Sequence, residues 1–284
     1  MKDATEELAA FLRSRRERLE PAEAGLPPGV RPRRTPGLRR EEVAELAGVS
    51  VDYVVRLEQG RGLRPSPEVL EAFARALRLS EDERVYLFDL VRQRPRERAP
   101  RATAAESLNR LVADLSPRPA MVIDHRFDIL AWNDEIAALL LDFDRMPADE
   151  RNMAWLCVAH PGFRDFYVDR ERVVRESIAD LRAAWAANSD DKALDDLITR
   201  MRAASPEFAR LWRQHDVRVN GRGLKRLLHP VAGEITIEFE ALQPIQDPDQ
   251  RLIIYRAADE RSAQRLAALA RVRSEAMDDP SLAL

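Results

Sequence analysis

The chain has little cysteine and histidine, and it contains no long apolar run. Its single cysteine, Cys157, has no partner for an internal disulfide, and its four histidines are scattered at His125, His160, His215 and His229. A zinc site needs Cys and His ligands at short, regular spacings, so this distribution predicts no metal site. No run of 18 apolar residues and no basic-then-apolar N-terminal signal occur. We therefore expect a cytoplasmic protein with no membrane partner.

A nucleophile with a paired base is also missing from the sequence. Cys157 and His160 are close in sequence, but they lie in an otherwise apolar stretch with helical periodicity. No Gly-rich loop of the kind that cradles phosphate groups occurs. We therefore predict no catalytic residues and no enzymatic activity.

The charge is distributed unevenly, although the net charge is only −3. Residues 1–101 carry 21 Lys and Arg against 18 Asp and Glu, a net charge of +3, and residues 102–284 carry 25 against 31, a net charge of −6. A local excess of arginine suits contact with phosphate, whereas DNA repels the acidic remainder. The Pro-rich segment 20–37, with Arg31, Arg33 and Arg34, is predicted to be either a basic arm that reaches DNA or a covering loop.

Residues 38–63 have the pattern of two short helices that cross at a tight corner. Apolar residues, including Val43 and Leu46, mark the inner face of the first helix. Gly48 fits the corner, because a chain reversal there favours positive φ. Ser50 is placed to cap a second helix over residues 51–59, whose outer face suits the DNA major groove. The alternative is a purely structural corner.

The predicted DNA contacts come from both helices and from the loop that follows them. Arginines at the first helix N-terminus and after the second helix are placed for phosphates, which fix register without reading sequence. Arg56 can donate to guanine, Asp52 can accept from cytosine and Val51 offers methyl contact. Glu58 would repel phosphate, so we expect it in a hydrogen bond or ion pair inside the domain. The predicted DNA-binding residues are Arg39, Arg40, Ser50, Val51, Asp52, Tyr53, Arg56, Arg61 and Arg64.

Three further helices complete the predicted N-terminal domain. The first, over residues 5–19, has an apolar inner stripe and is expected to turn arginines outward. Ser66 before Pro67 and the pair Ser80 and Glu83 indicate the starts of two later helices. We predict an all-α, five-helix domain over residues 1–93, followed by a Pro- and Arg-rich linker over 94–103. The expected outward arginines of the first helix are Arg13, Arg15, Arg16 and Arg18.

The remainder of the chain predicts an α+β domain over residues 104–259. Two strands, 120–123 and 127–132, are joined by a turn, and Asn133 is placed to cap the next helix. Residues 151–213 have mostly helical periodicity, and strands follow at 225–229, 234–241 and 251–257. Their alternation indicates an antiparallel sheet with one buried face. A helix over 260–272 begins the C-terminal segment 260–284, and the opening of the domain resembles PAS domains.

Both domains resemble one family of regulators. The first is similar to phage-repressor-like (XRE) helix-turn-helix domains, in the form found in MmyB-like regulators, along TPGLRREEVAELAGVS, LEQGR and PSPEVLEAFARALRLSEDER. The second is similar to the MmyB-like ligand-binding domain along ILAWN, ERNMAWL, VRESIADLR, ASPEFARLWRQHDV, KRLLHP and DPDQRLIIYRA. This resemblance implies a one-component transcriptional regulator that binds a double-stranded DNA operator as a homodimer. It also implies a PAS-like domain that senses a small, fatty-acid-like ligand, with no other cofactor.

The expected ligand contacts lie within the matching stretches. An inward-facing Arg175 would need a carboxylate, supplied by the ligand or by Glu176 or Asp180. The chain departs from the family at Tyr167-Val168-Asp169-Arg170, where the usual run ends in Trp, so ligand identity stays open. The alternative is a PAS-like domain that binds a protein partner and no ligand. The predicted ligand-binding residues are Trp132, Arg151, Asn152, Trp155, Arg175, Trp212 and His215.

Overall fold

The computed structural model describes residues 4–26, 37–61, 64–91 and 103–278, which form two compact units. The first unit comprises residues 1–97, 182–200 and 209–219, and the second comprises 98–181, 201–208 and 220–284. The first unit is therefore larger than the predicted DNA-binding domain. Arg31, Arg33, Arg34 and most of the predicted linker lie outside the described residues. Over the ranges described, no helix is both long and apolar enough to cross a membrane.

Five helices build the N-terminal part of the first unit, as predicted. Gly48 ends the second helix at φ 66°, the left-handed conformation that favours glycine. The Ser50 hydroxyl accepts a hydrogen bond from the backbone N–H of Tyr53 at 3.2 Å and so caps the third helix. The helices are α1 (Ala4–Arg18), α2 (Arg40–Ala47), α3 (Val51–Glu58), α4 (Pro67–Ala76) and α5 (Glu81–Val91).

The outer face of α1 was predicted wrongly at two of its arginines. Arg15 and Arg16 are each only 7% exposed. The Arg15 guanidinium lies 2.9 Å from the Glu83 carboxylate, and Arg16 lies 2.5 Å from Glu58. These arginines face inward because each has a buried or half-buried carboxylate on a neighbouring helix. Leu46, predicted to be internal, is 37% exposed.

The second unit is built on a five-stranded antiparallel sheet with the strand order β2-β1-β5-β4-β3. The strands confirm the predicted α+β fold, and the third begins three residues earlier than predicted, at Arg222 rather than Lys225. The strands are β1 (Ala120–Asp124), β2 (Ile129–Trp132), β3 (Arg222–His229), β4 (Gly233–Leu242) and β5 (Gln250–Ala257).

Helices precede, interrupt and follow these strands. Asn133 caps the helix after β2, because its side-chain oxygen accepts from the Ile136 N–H at 3.1 Å, as predicted. The last helix is longer than expected and continues to Asp278. The helices are α6 (Glu106–Asp114), α7 (Asp134–Leu139), α8 (Met153–Ala159), α9 (Arg170–Ala187), α10 (Lys192–Ala204), α11 (Pro206–Trp212) and α12 (Glu260–Asp278).

In β4 one face of the sheet is buried and the other is open to solvent, whereas at β1 both faces are buried because α6 packs against the second face. Ile235, Ile237 and Phe239 of β4 are 0%, 1% and 9% exposed, whereas Glu238, between the last two, is exposed. This period of two is the signature of a strand that packs on one side only. The buried face of β4 and β5 is therefore available to line an interior cavity in the second unit.

Candidate functional site

Helix α3 presents a continuous outward face in the first unit. Val54 and Leu57 are 1% and 3% exposed and anchor the helix from its inner side. Other residues of the helix are turned outward: Val51 is 40% exposed, and Asp52 and Arg56 are also exposed. Within the predicted DNA-binding set, Ser50, Arg39, Arg61 and Arg64 are exposed, while Tyr53 and Arg40 are half-buried.

The two arginines at the start of α2 differ in their surroundings. Arg39 is exposed, and its backbone N–H donates to the Glu42 carboxylate at 2.7 Å. The Arg40 guanidinium instead lies 2.7 Å from the Glu58 carboxylate, which also binds Arg16. Glu58 is 3% exposed, so the predicted ion pair inside the domain is confirmed. Of the two arginines, Arg39 is therefore the freer to contact phosphate.

A second group of charges is buried inside the first unit and contains two of the predicted ligand residues. The Arg182 guanidinium, 0% exposed, binds the Glu7 carboxylate and the Trp212 backbone oxygen, and lies 4.1 Å from the centre of the Trp212 ring. His215 Nδ1 is 2.7 Å from Glu7 Oε1, and the Tyr86 hydroxyl donates to the same oxygen at 2.8 Å. We call Glu7, Tyr86, Arg182, Trp212 and His215 the buried charge cluster.

The buried charge cluster holds the Glu7 side chain in its ionised form. Burial by itself would raise the pKa of this carboxyl. The hydrogen bond with His215 and the charge of Arg182 outweigh that effect and lower the pKa to about 2. Trp212 and His215 are half-buried, and both have contacts within the first unit that account for their positions.

Arg175 and Trp132 also lie away from the expected polar end of a pocket. Arg175 is exposed and pairs with Glu171 at 2.7 Å, one turn earlier on α9, so it does not face inward and the need for a buried carboxylate partner does not arise. The guanidinium carbon of Arg151 lies over the Trp132 ring, 5.2 Å from the ring centre. Arg151 in turn donates to the Met146 backbone oxygen at 3.0 Å.

Asn152 has a local structural role. Its side-chain oxygen accepts from the Trp155 N–H at 3.0 Å and caps α8. Its amide donates to the Asp128 carboxylate and to the Arg126 backbone oxygen, both at 2.8 Å. All of its side-chain polar atoms are therefore engaged in holding the turn between β1 and β2 against α8.

The second unit contains a partly open cavity between the buried face of the sheet and helices α8 and α9. Its apolar wall consists of Met121, Ile123, Phe127, Met153, Ala154, Cys157, Val173, Phe239, Ile253 and Tyr255. Its polar wall consists of Glu176, Ser177, Asp180, Asn220, Lys225 and Arg251. None of the predicted ligand-binding residues is among those that line this cavity. An apolar wall with a few polar groups is typical of a small-molecule site.

Both acidic groups of the cavity have basic partners. Asp180 accepts from Arg251 Nη1 at 3.1 and 3.3 Å. Burial raises the pKa of the Asp180 carboxyl, and the charge of Arg251 opposes that rise. Glu176 lies 3.3 Å from the guanidinium of Arg172, one turn earlier on α9.

Lys225 is one of the polar cavity residues that the sequence analysis missed, along with Ser177, Asn220 and Arg251. It pairs directly with Ile237 in the β3–β4 ladder, so both side chains point to the same face of the sheet. Ile237 is 1% exposed, and the alternation in β4 already marked it as inward. The register of the hairpin was thus the signal that would have identified Lys225 as a cavity residue.

Cys157 and His160 form hydrogen bonds with other residues and not with one another. The Cys157 sulfur lies 3.7 Å from the Tyr167 hydroxyl, and His160 Nδ1 accepts from the Gly162 N–H at 3.1 Å. Over the part of the chain that the structure describes, no group of three or more His, Cys, Asp or Glu is arranged to hold a metal ion.

Comparison with family models gives two matches, one in the N-terminal part of the chain and one in the C-terminal part. The model described as the MmyB-like transcription regulator ligand binding domain matches residues 104–269. A model described as a helix-turn-helix domain matches residues 7–87. A search among curated proteins found no match. The first match covers more than half of the chain and includes every residue that lines the cavity.

Proposed function

The chain belongs to the family of MmyB-like transcription regulators, and we propose that it is a one-component regulator whose helix α3 reads a DNA operator while a small, fatty-acid-like molecule occupies the cavity. A helix-turn-helix domain joined to a ligand-binding domain makes it a ligand-responsive transcription regulator. The operator contacts and the ligand class are the proposal.

The proposal for DNA recognition rests on one observation, the exposed outer face of α3. Arg56 has the reach and the paired donors to bind guanine, and Asp52 can accept from a cytosine amine. Val51 supplies methyl contact, and Ser50 and Tyr53 lie at the same end of the helix. Arg39, Arg61 and Arg64 are exposed and are proposed to bind phosphates, with Arg40 in a lesser role because of its pairing with Glu58.

We propose a homodimer as the DNA-binding form. A single α3 of eight residues contacts only a short stretch of base pairs. Two copies that bind half-sites one helical turn, about 34 Å, apart would read a symmetric operator. The dimer is tested by sedimentation of the chain with and without operator DNA.

The proposal for the ligand rests on the composition of the cavity. The wall is mainly aliphatic and aromatic, so it favours an apolar body over a hydrated sugar or nucleotide. The ligand regulates DNA binding only if it binds one state of the protein more tightly than the other. A switch from 1:99 to 99:1 needs about 5.5 kcal/mol of such preference.

The DNA-binding proposal is tested with two variants and a control. An operator is first located by footprinting on DNA upstream of the protein's own gene. Arg56→Ala is expected to cost about 1–3 kcal/mol and to relax the choice of base at one position, whereas Arg39→Ala weakens binding to all sequences and reduces the salt dependence. Arg110→Ala, at an exposed arginine of α6, is the control and leaves binding unchanged. Equal binding by the wild type and both test variants would contradict the docking of α3.

The ligand proposal is tested by denaturing mass spectrometry of small molecules extracted from the purified full-length chain. We expect an acyl chain or a similar apolar molecule in stoichiometric amount. A chain that copurifies with no small molecule, and binds none of a series of acyl compounds, would contradict the proposal and favour the protein-interaction alternative.

A further inference from the structure

The cavity contains one positive charge that no described residue neutralises by contact. Lys225 Nζ lies 4.6 Å from the centre of the Phe239 ring. The same atom lies 5.9 Å from the centre of the Tyr167 ring and 6.0 Å from the centre of the Tyr255 ring. Among the residues that the structure describes, none accepts a hydrogen bond from this ammonium or forms an ion pair with it. Its charge acts on Asp180 and Tyr255 only through space.

The other charges around the cavity cancel in pairs. Arg251 neutralises Asp180, and Arg172 neutralises Glu176. The charged residues of the polar wall sum to zero, with Glu176 and Asp180 against Lys225 and Arg251, and Lys225 is the one of these charges with no opposite charge in contact among the described residues. The three rings around the ammonium exclude part of its water, and a poorly hydrated ammonium gains more from a charge-assisted hydrogen bond than a fully hydrated one does.

The choice of lysine at this position is unusual for this chain. Of its 46 basic residues, only Lys2, Lys192 and Lys225 are lysines. Lysine carries a compact charge on a narrow stem, so it fits between aromatic rings and still offers three donors to one side. By contrast, Arg251, which lines the cavity, and Arg172, which adjoins it, form ion pairs with Asp180 and Glu176.

We infer that Lys225 binds the anionic head of the ligand, and that this head carries a single negative charge, as a carboxylate does. This inference rests on the proposed function, because it assigns the polar end of a ligand whose apolar body the cavity holds. A phosphate monoester carries nearly two negative charges at neutral pH. Its second charge would find no second unpaired cation among the described residues of the wall, because Arg251 and Arg172 already pair with Asp180 and Glu176, so the cavity selects monocarboxylates over phosphate esters.

Phe239 has its position beside Lys225 because a glycine faces it on the neighbouring strand. Gly223 pairs with Phe239 in the β3–β4 ladder. A Cβ atom at Gly223 would lie 2.9 Å from the Phe239 ring, closer than packed atoms approach. The absent side chain thus lets the ring lie across β3 next to the lysine.

The test compares three probes that share one chain length: decanoic acid, decanol and decyl phosphate. Their binding to the full-length protein is measured by isothermal titration calorimetry. Decanoic acid is expected to bind wild type roughly tenfold or more tightly than decanol, and more tightly than decyl phosphate. Lys225→Met should weaken decanoic acid binding roughly tenfold to hundredfold, the range for a lost hydrogen bond to a charged group, and leave decanol within about threefold.

Two further variants control for charge and for fold. Lys225→Arg keeps the positive charge and should retain a preference for the acid over the alcohol. Lys192→Met makes the same chemical change at an exposed lysine of α10 and should bind all three probes as wild type does. Decanol binding by Lys225→Met also reports that the cavity is still folded.

Each failure identifies which claim is wrong. If decanoic acid and decanol bind wild type equally, or if Lys225→Met binds the acid as wild type does, the Lys225 inference is overturned while an apolar ligand remains supported. If decyl phosphate binds most tightly, the single-charge preference is overturned. If wild type binds none of the three probes, the proposed ligand class fails and the inference fails with it.

Discussion

The buried charge cluster of the first unit and the polar wall of the cavity in the second unit are both made of charged side chains among aromatic rings, but they differ in pairing. In the cluster, Glu7 contacts Arg182 and His215, so each charge has an opposite neighbour. In the cavity, Lys225 has rings around it and no such neighbour among the described residues. A buried charge can therefore have two roles. A paired charge stabilises the packing of protein elements, whereas an unpaired charge in a cavity can bind an oppositely charged ligand.

The largest effect is expected from breaking the cluster at its arginine. Arg182→Met leaves the Glu7 carboxylate buried without its main positive partner, which costs about 3–5 kcal/mol. The change is measured as a lower midpoint of urea unfolding of the full-length chain. Arg175→Met is the matched control: Arg175 is on the same helix and pairs with Glu171 at the surface, so its loss costs at most about 0.5 kcal/mol. Equal midpoints for the two variants would show that the cluster does not stabilise the fold.

The second largest effect is a pH dependence of the free energy of unfolding, which arises from Glu7 in the buried charge cluster. The pKa of Glu7 is about 2 in the folded chain against an ordinary value of 4.5, because the contacts of His215 and Arg182 outweigh burial. A lowered carboxyl pKa stabilises the fold above pH 4.5, and this stabilisation is lost as the pH falls from about 4.5 towards 2. At about 1.4 kcal/mol per pKa unit the loss is on the order of 3 kcal/mol.

Glu7→Gln is the variant that isolates this pH effect. It removes the titrating group, so its unfolding free energy should be lower than that of wild type at pH 6 and fall less steeply between pH 4.5 and 3. The measurement is a series of urea titrations at fixed ionic strength. Parallel pH profiles for wild type and variant would contradict the assignment of the low pKa to Glu7.

The smallest effect is expected from a change in the cavity wall, which tests how the cavity distinguishes a ligand with one negative charge from a ligand with two. Glu176→Gln removes a negative charge from the wall that holds Lys225. Repulsion of a dianion then falls more than repulsion of a monoanion, so decyl phosphate affinity should rise roughly threefold to tenfold and decanoic acid affinity by less. Calorimetry at low and moderate salt measures both. A larger gain for the acid than for the phosphate would contradict the proposed charge balance.

Local signals predicted the elements of the fold well. Gly48, Ser50 and Asn133 each act within a few residues of their own position, so the sequence is sufficient to place the helix ends they define. The alternation in β4 likewise marked its buried face. Such features depend on backbone geometry and side-chain chemistry that repeat in every protein.

Contacts between distant residues were not predicted. Arg16 faces inward because Glu58, 42 residues away, is there to meet it. His215 is held by Glu7, 208 residues away, and so contributes to the first unit and not to the cavity. A pattern of residue types cannot indicate which of several carboxylates an arginine or histidine will meet. Lys225 is the intermediate case, because the hairpin register places it on the inner face, but only the fold reveals that it has no hydrogen-bond or ion-pair partner among the residues that the structure describes.

The claim that connects the two units in function is that an anion held by Lys225 changes the affinity of α3 for DNA. The most direct test is an operator titration by fluorescence anisotropy, with and without saturating decanoic acid, for wild type and Lys225→Met. We predict that the acid changes the operator affinity of wild type severalfold and that the same concentration leaves the variant unchanged. By linkage, the operator should change the affinity of wild type for the acid by the same factor. Equal shifts in wild type and variant, or no shift in a wild type shown to be saturated with the acid, would contradict the account.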